Sequence, residues 1–152
     1  AAVLLALPAD RLAELMRDLE ERFPQVTLIS GGTRLREIVT KVAGFVEAPG
    51  GALDLQLDIR GTGFQQRVWQ ALREIPAGER ASYTDIANRI GSPRSVRAVA
   101  QACAANAHAV AIPCHRVVRH DGALSGYRWG GDRKRELLER ELQATGERRQ
   151  TT

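Results

Sequence analysis

The stretch that decides the fold covers residues 82–106 and reads SYTDIANRIGSPRSVRAVAQACAAN. It predicts a short helix, a turn at Gly91 and a second helix that ends near Ala105, because glycine commonly follows the last turn of a helix. Ser92 and Pro93 predict where the second helix starts, since serine favours the N-cap and proline the first helical position. Two short helices joined by such a turn are typical of a helix-turn-helix, although an ordinary αα-hairpin also fits.

The two sides of the second helix differ in chemistry. Its buried side is predicted to carry Val96, Val99, Ala100 and Cys103. The other side has arginines near the helix start, where backbone N–H groups without intrahelical partners attract phosphate. The pattern therefore predicts a DNA contact formed by Ser92, Arg94, Ser95, Arg97 and Gln101.

Length and charge narrow the class of protein. The 152 residues, 43% of them hydrophobic, are enough for one ordinary globular domain or two small ones. Residues 1–60 carry 7 basic and 9 acidic side chains, whereas residues 61–152 carry 15 basic and 9 acidic ones. A basic half suits a polyanion such as DNA, although most charge runs are simply solvated surface.

Membrane and disulfide-rich classes do not fit this composition. No apolar run approaches the roughly 18 residues of a membrane span, and residues 1–8 lack the basic flank of a signal peptide. Two cysteines are too few for a disulfide framework or a four-thiolate metal site. We therefore expect a protein of a reducing compartment such as the cytoplasm, without a metal or a membrane partner.

Residues 1–60 are expected to form a small α+β packing unit. Alternating apolar and polar residues over 53–59 predict a half-buried strand before a seam at Arg60 and Gly61. The other expected elements are strands over 3–7 and 26–29, a helix over about 10–22 that Asp10 caps, and a helix over about 33–46.

The second unit is expected to cover residues 61–142, followed by a polar tail over 143–152. It opens with a helix that Thr62 caps and Pro76 ends. Trp69 lies off the apolar stripe of that helix, which predicts that it packs against the first unit.

A further stretch carries the candidate chemistry. Residues 109–118 read AVAIPCHRVV, so an apolar strand is expected to deliver Cys114, His115 and Arg116. A thiol is a good nucleophile only as the thiolate, which a nearby imidazole promotes. Consecutive side chains of an extended chain point to opposite sides, so contact between Cys114 and His115 needs a turn or an intervening water. A lone buried cysteine is otherwise just a small hydrophobic side chain.

The last helix, with Asp132 as its cap, supplies a third group. Its buried face is predicted to carry Leu137, Leu138, Glu141 and Leu142. A buried carboxylate needs a partner, and for Glu141 the candidates are His115 or an arginine at a helix end.

Five blocks of sequence resemble one family. FQQRVWQAL, SYTDIANRIG, RAVAQACAAN, IPCHRVV and GALSGYRWG, in this order, resemble the methylated-DNA–protein-cysteine methyltransferases, also called O6-alkylguanine-DNA alkyltransferases. The resemblance implies an α+β fold: a ribonuclease-H-like α/β subdomain that lacks its opening strands, followed by a mostly helical, winged helix-turn-helix-like domain. It further implies a monomer near the nucleoid that needs no cofactor or metal. This protein would bind duplex DNA in the minor groove and flip out O6-methylguanine or O4-methylthymine. It would then move the alkyl group irreversibly to its own cysteine.

The family's roles transfer to matching positions. Cys114 becomes the alkyl acceptor, His115 the base that acts through water, and Glu141 the group that orients His115. Tyr83 would donate a proton to the guanine, or merely cap a helix. Arg97 would fill the gap left by the flipped base, or merely contact phosphate. The substrate pocket would comprise Cys103, Asn106, Val117, Ser125, Tyr127 and Trp129, with Val117 offering its carbonyl to the guanine amine.

Two departures and two rival functions complete the expectations. Relatives that accept benzyl groups have proline in place of Ala109 and glycine in place of Trp129, so we expect poor transfer of large alkyl groups. An alkyltransferase-like protein that only binds lesions would lack Cys114. A cysteine hydrolase would need an oxyanion hole, and no glycine-rich turn beside Cys114 supplies one.

Overall fold

The computed structural model describes residues 9–25, 27, 32–49 and 53–150. Their contacts divide the chain into two compact units, one ending at Gly44 and the other starting at Phe45. None of the helices among these residues is both long and apolar enough to cross a membrane. The seam at Arg60 and the domain limits drawn from it remain predictions.

The first unit contains the two expected helices. Helix α1 spans Ala9–Arg22 and α2 spans Thr33–Glu47, with its last residues in the second unit. Asp10 is the second residue of α1 and therefore does not occupy its N-cap position, and the side chains of Met16 and Phe23 are exposed. The strand predicted over 3–7, and all but Thr27 of the one predicted over 26–29, lie outside the described residues.

The strand predicted over 53–59 is wrong, although its burial pattern is right. Leucines and Ile59 along this segment are half-buried, and the polar residues between them are exposed. Leu57 and Ile59 pack against the core of the second unit. An extended chain lying on a core shows period-two burial without any ladder of hydrogen bonds, so alternation alone does not establish a strand.

The second unit begins with helix α3, Gly63–Arg73. Thr62 caps it in a capping box, in which the Gln65 N–H donates to Thr62 Oγ1 (3.2 Å) and the Thr62 N–H donates to Gln65 Oε1 (2.9 Å). The prediction that Trp69 packs against the first unit is wrong. Trp69 lies in the core of the second unit, and its Nε1 donates to the Ala102 carbonyl at 2.8 Å. This bond ties α3 to the helix-turn-helix.

The helix-turn-helix is present, with a shorter second helix than expected. Strand β1, Ala81–Ser82, leads into α4, Tyr83–Arg89, and Gly91 has the positive φ of +69° that the turn requires. Helix α5 spans Val96–Ala104. The predicted start at Ser92 and Pro93 is wrong, because the Ser95 N–H donates to the Ser92 carbonyl (2.9 Å) and closes a separate turn before the helix.

A turn, and not a strand, delivers the Pro-Cys-His-Arg segment. Over 109–112 the Ile112 N–H donates to the His108 carbonyl (2.8 Å), and Val110 has φ of 71°, a strained value for a β-branched residue. A 3₁₀ turn, Cys114–Arg116, follows. Strand β2, Val117–Val118, then pairs in parallel with β1.

Helix α6, Gly131–Gln150, closes the unit. Asp132 lies in its first turn, paired with Arg135 at 2.9 Å, and does not cap it. Leu138 and Glu141 are buried as expected, whereas Leu142 is exposed. The fold is therefore helix-dominated, with one two-stranded parallel sheet among the described residues.

Candidate active site

The predicted acceptor cysteine opens into a cavity of about 470 Å³ within the second unit. Helix α5 forms one wall and the 3₁₀ turn another, while α4 and the loop before α6 complete it. The lining residues are Tyr83, Ala100, Cys103, Ala104, Cys114, Ser125, Gly126, Tyr127 and Arg128. A larger, more open cleft of about 640 Å³ beside α3 contains none of the predicted catalytic residues.

Asn106 positions the thiol. Its fully buried amide Nδ2 donates to the Ile112 carbonyl (2.8 Å) and to Cys114 Sγ (3.2 Å), while its Oδ1 accepts from the His108 N–H (2.9 Å). Burial raises the pKa of Cys114, and the Asn106 hydrogen bond and the charge of Lys134 act in the opposite direction. The amide thus joins the end of the helix-turn-helix to the sulfur.

His115 and Glu141 form a buried pair. His115 Nε2 lies 2.8 Å from Glu141 Oε1, and both side chains are almost completely shielded from solvent. A carboxylate only accepts hydrogen bonds, so Nε2 carries the hydrogen and Nδ1 holds the lone pair in the neutral ring. Nδ1 is buried and has no hydrogen-bond partner among the described residues, so no direct bond joins it to Cys114.

Glu141 has both of the partners that the sequence left open. Arg116 donates through Nε to Oε1 and Oε2 (3.1 Å each) and through Nη2 to Oε1 (2.8 Å). Arg116 comes from the 3₁₀ turn, and not from a helix end. Burial acts to raise the pKa of Glu141, but the hydrogen bonds and charges of His115 and Arg116 outweigh it and lower that pKa to about 2.

Lys134 is a site residue that the sequence reasoning missed. It is fully buried, and its Nζ donates to the Val117 carbonyl (2.6 Å) and to Ser125 Oγ (3.2 Å). Ser125 Oγ is in turn 2.6 Å from the Tyr83 hydroxyl. The sequence signal was available, because Lys134, Leu138 and Glu141 follow the helical spacing of one buried face.

The other expected pocket residues divide into two groups. Cys103, Ser125 and Tyr127 line the cavity. Val117 is fully buried, with its carbonyl already bonded to Lys134, and Trp129 stands outside the lining, with its ring edge-on to Tyr127 at 5.2 Å between centroids. In this structure Trp129 does not narrow the pocket directly, and it contacts the lining residue Tyr127 instead.

Comparisons with known proteins show the family of this chain. The family model described as 6-O-methylguanine DNA methyltransferase, DNA binding domain, matches residues 63–143. The chain belongs to the methylated-DNA–protein-cysteine methyltransferase family. The resemblance inferred from the five sequence blocks is thereby confirmed.

Relatives match over most of this chain. It is 51% identical to the bifunctional transcriptional activator/DNA repair enzyme Ada of Escherichia coli, over 93% of this chain and 39% of that protein. It is 38% identical to the inducible methylated-DNA–protein-cysteine methyltransferase of Bacillus subtilis, over 90% and 76% of the two chains. The chain therefore spans about two fifths of the length of the Ada proteins of Escherichia coli and Salmonella typhimurium.

Solved structures agree as well. Mycobacterium tuberculosis OGT in complex with DNA superposes with a TM-score of 0.69 and 44% identity, over 72% of this chain and 68% of that one. The O6-methylguanine-DNA methyltransferase of Pyrococcus kodakaraensis superposes with a TM-score of 0.70 and 27% identity, over 90% and 82% of the two chains.

Within this family member, the predicted DNA face is accessible at its charged positions. Arg94, Arg97 and Gln101 are exposed, and Ser92 and Ser95 are half-buried. The Ser92 N–H is not available to phosphate, because it donates to the Ala87 carbonyl at 2.9 Å. The N–H groups of the first turn of α5, which follows Ser95, lack intrahelical partners by helix geometry.

Proposed function

We propose that this chain repairs DNA by direct reversal of damage, moving the alkyl group of O6-methylguanine in duplex DNA to Cys114 Sγ. O4-methylthymine is the second substrate that we infer. The observation that carries the proposal is the position of Cys114. It opens into a cavity beside the helix-turn-helix and directly precedes the buried pair of His115 and Glu141.

The transfer is a single displacement. His115 Nδ1 takes the thiol proton through one bridging water, and Glu141 stabilises the resulting imidazolium. The thiolate attacks the methyl carbon, so the S–C bond forms as the C–O6 bond breaks and the electron pair leaves with the guanine. The Tyr83 hydroxyl, which lines the cavity, supplies a proton or hydrogen bond to the guanine ring. The thioether is stable, so each molecule acts once.

Lys134 supports two of these groups. Its ammonium holds Ser125 against the Tyr83 hydroxyl and fixes the Val117 carbonyl. A carbonyl oxygen has two lone pairs, so the Val117 carbonyl accepts the guanine amine in addition to Lys134.

DNA binding is assigned to α5 and the turn before it. Arg97 enters the gap left by the flipped base, which offsets part of the unstacking energy of a few kcal/mol. Arg94, Ser95, Ser92 and Gln101 contact the minor groove and its phosphates. A Mycobacterium tuberculosis relative has been solved in complex with DNA, which supports DNA as the partner. Binding to undamaged duplex is expected to weaken with salt, with a slope of about −0.9 per phosphate contact on logarithmic axes.

The remaining expectations complete the proposal. Residues 1–60 form the ribonuclease-H-like subdomain and residues 61–142 the transferase domain. The protein acts as a monomer at the nucleoid in the cytoplasm, without metal or cofactor. Size-exclusion chromatography with light scattering tests the monomer.

Intact mass spectrometry tests the function itself. The chain is incubated with a duplex containing O6-methylguanine, and transfer leaves a permanent methyl adduct. Fragmentation of the peptide over residues 98–116, which contains both cysteines, should place the methyl group on Cys114. A lesion-binding protein would hold the duplex and show no mass change, and a hydrolase would keep no adduct. Either of those results overturns the proposal.

A further inference from the structure

We propose that Arg116 is a positioning residue that keeps the base His115 unprotonated, by neutralising the carboxylate that the two side chains share. This inference rests on the transfer reaction proposed above. It concerns a charged group that the displacement does not itself use, although that group is buried inside the site.

Arg116 makes hydrogen bonds through all three of its guanidinium nitrogens. Its Nε and Nη2 hold both oxygens of Glu141, and its Nη1 donates to the Ile75 carbonyl. The Gly78 N–H also donates to Glu141 Oε2, at 3.3 Å. The Glu141 carboxylate is thus held by groups of the 3₁₀ turn and of the segment after α3, in addition to its contact with His115.

The charge of Arg116 affects whether His115 has to carry a positive charge beside Glu141. A buried carboxylate has to be neutralised, and two side chains contact Glu141 closely enough to do so. Arginine is always charged, so Arg116 already supplies the positive charge. His115 can then donate its Nε2–H to Glu141 as a neutral ring and keep the Nδ1 lone pair for the thiol proton. Without Arg116, Glu141 would be neutralised by a proton held either on its own carboxyl group or on His115. Imidazole is the more basic of the two groups, so the proton would go to His115, and an imidazolium has no lone pair at Nδ1.

Other groups near the pair do not replace Arg116. Cys114 lies on the same turn as His115, and Tyr127, in the loop before α6, lines the same cavity as Cys114. Both groups are neutral when protonated. Lys134 of α6 acts on Cys114, and its Nζ is bonded to Val117 and Ser125.

Nitrogen NMR of labelled histidine tests the inference directly, because it reads the protonation of each ring without any methyl transfer. The chain has three histidines, and the His115→Gln spectrum assigns the signals. In Arg116→Met, the pH at which His115 takes up its second proton is expected to rise by about 1–3 units, as for other charge changes within about 4–6 Å. Arg116→Lys keeps the charge and loses the fork, so its titration stays close to that of the parent chain.

A double variant separates charge balance from mere structural support. In Arg116→Met/Glu141→Gln no carboxylate remains to be neutralised, so the His115 titration returns to the parent pH or below it. The pH profile of single-turnover transfer should shift upward in Arg116→Met alone. If Arg116→Met titrates as the parent does, or if the double variant keeps the upward shift, the inference is wrong. An unfolded Arg116→Met leaves Arg116→Lys as the deciding variant, in which a shift of one unit or more overturns the inference.

A parent chain that takes up no methyl group would instead overturn the proposed function. The His115 titrations would still be interpretable, so the two failures are distinguishable.

Discussion

Two walls of the same cavity each present a buried thiol, Cys103 on α5 and Cys114 on the 3₁₀ turn. Their residual exposures, 8% and 5%, are nearly equal. Burial and the neighbouring Cys114 raise the pKa of Cys103 to about 12, with Lys134 acting against them. Burial also raises the pKa of Cys114, but there the Asn106 amide, Lys134 and the turn's own backbone all oppose it. Burial therefore does not distinguish the proposed acceptor Cys114 from Cys103, whereas the Asn106 donor on the sulfur and the adjacent His115 do.

The largest expected effect comes from replacing each of the two thiols separately by a hydroxyl group. Cys114→Ser should abolish methyl transfer, because an alcohol is far less acidic than a thiol and Asn106 cannot make up that difference. Cys103→Ser, the matched control, should keep transfer within a few-fold of the parent chain. Peptide mapping after reaction with methylated duplex measures both. Full transfer in Cys114→Ser would remove the distinction between the walls.

The next effect tests the base on the turn side. Glu141→Gln should slow single-turnover transfer on the order of 100-fold, since a general base contributes about 10²–10⁴-fold and the amide no longer stabilises the imidazolium. Binding to undamaged duplex should not change. Glu139→Gln, an exposed position of the same helix, serves as the control. An unchanged rate at neutral pH would make Glu141 a structural partner of Arg116 only.

The elements around this cavity show which features of the structure can be predicted from the sequence and which cannot. Local signals placed α3, α4 and the buried Glu141 correctly, because an N-cap such as Thr62, a glycine stop such as Gly91 and helical spacing act within a few residues. The turn after Ser92 escaped prediction, since serine and proline suit a turn as well as a helix start, and here the Ser95 N–H donates to the Ser92 carbonyl before the helix begins. The strand over 53–59 failed because pairing requires a distant partner. Lys134 was missed because a buried lysine is rare and its acceptors lie 9 and 17 residues away in the chain.

A third prediction concerns the outer side of the α5 wall. Arg97→Ala should slow repair of duplex DNA by roughly 10–100-fold, because extruding the base takes a few kcal/mol that the guanidinium partly offsets. Reaction with the free modified base should hardly change, since Cys114 and His115 remain in place. Arg73→Ala, an exposed arginine at the end of α3, is the control. Equal slowing of both reactions would mean that Arg97 supports the pocket and not the flipped state.

Lys134 lowers the pKa of both thiols, so its removal tests how much this shared positive charge favours the Cys114 thiolate. Lys134→Met should slow transfer about tenfold, because each unit of rise in the thiol pKa lowers the thiolate population tenfold. The rate should recover as the pH is raised, since the lost charge had favoured the thiolate. Lys41→Met changes the other lysine, which is exposed on α2. A rate deficit that does not vary with pH would indicate a role in packing alone.

The smallest effect is expected at Trp129, which stands behind the loop side of the cavity. Benzylguanine should react more slowly than the methylated base, because Tyr127 occupies the wall that a benzyl ring would need. The edge-on contact of Trp129 holds Tyr127 in that position, and such aromatic pairs contribute about 0.5–1.5 kcal/mol. Trp129→Gly should therefore raise the benzyl rate by only about 2–10-fold while the methyl rate stays near that of the parent. Trp129→Phe keeps an aromatic edge and should show no gain. Full benzyl reactivity in Trp129→Gly would mean that the indole itself fills the pocket when DNA is bound.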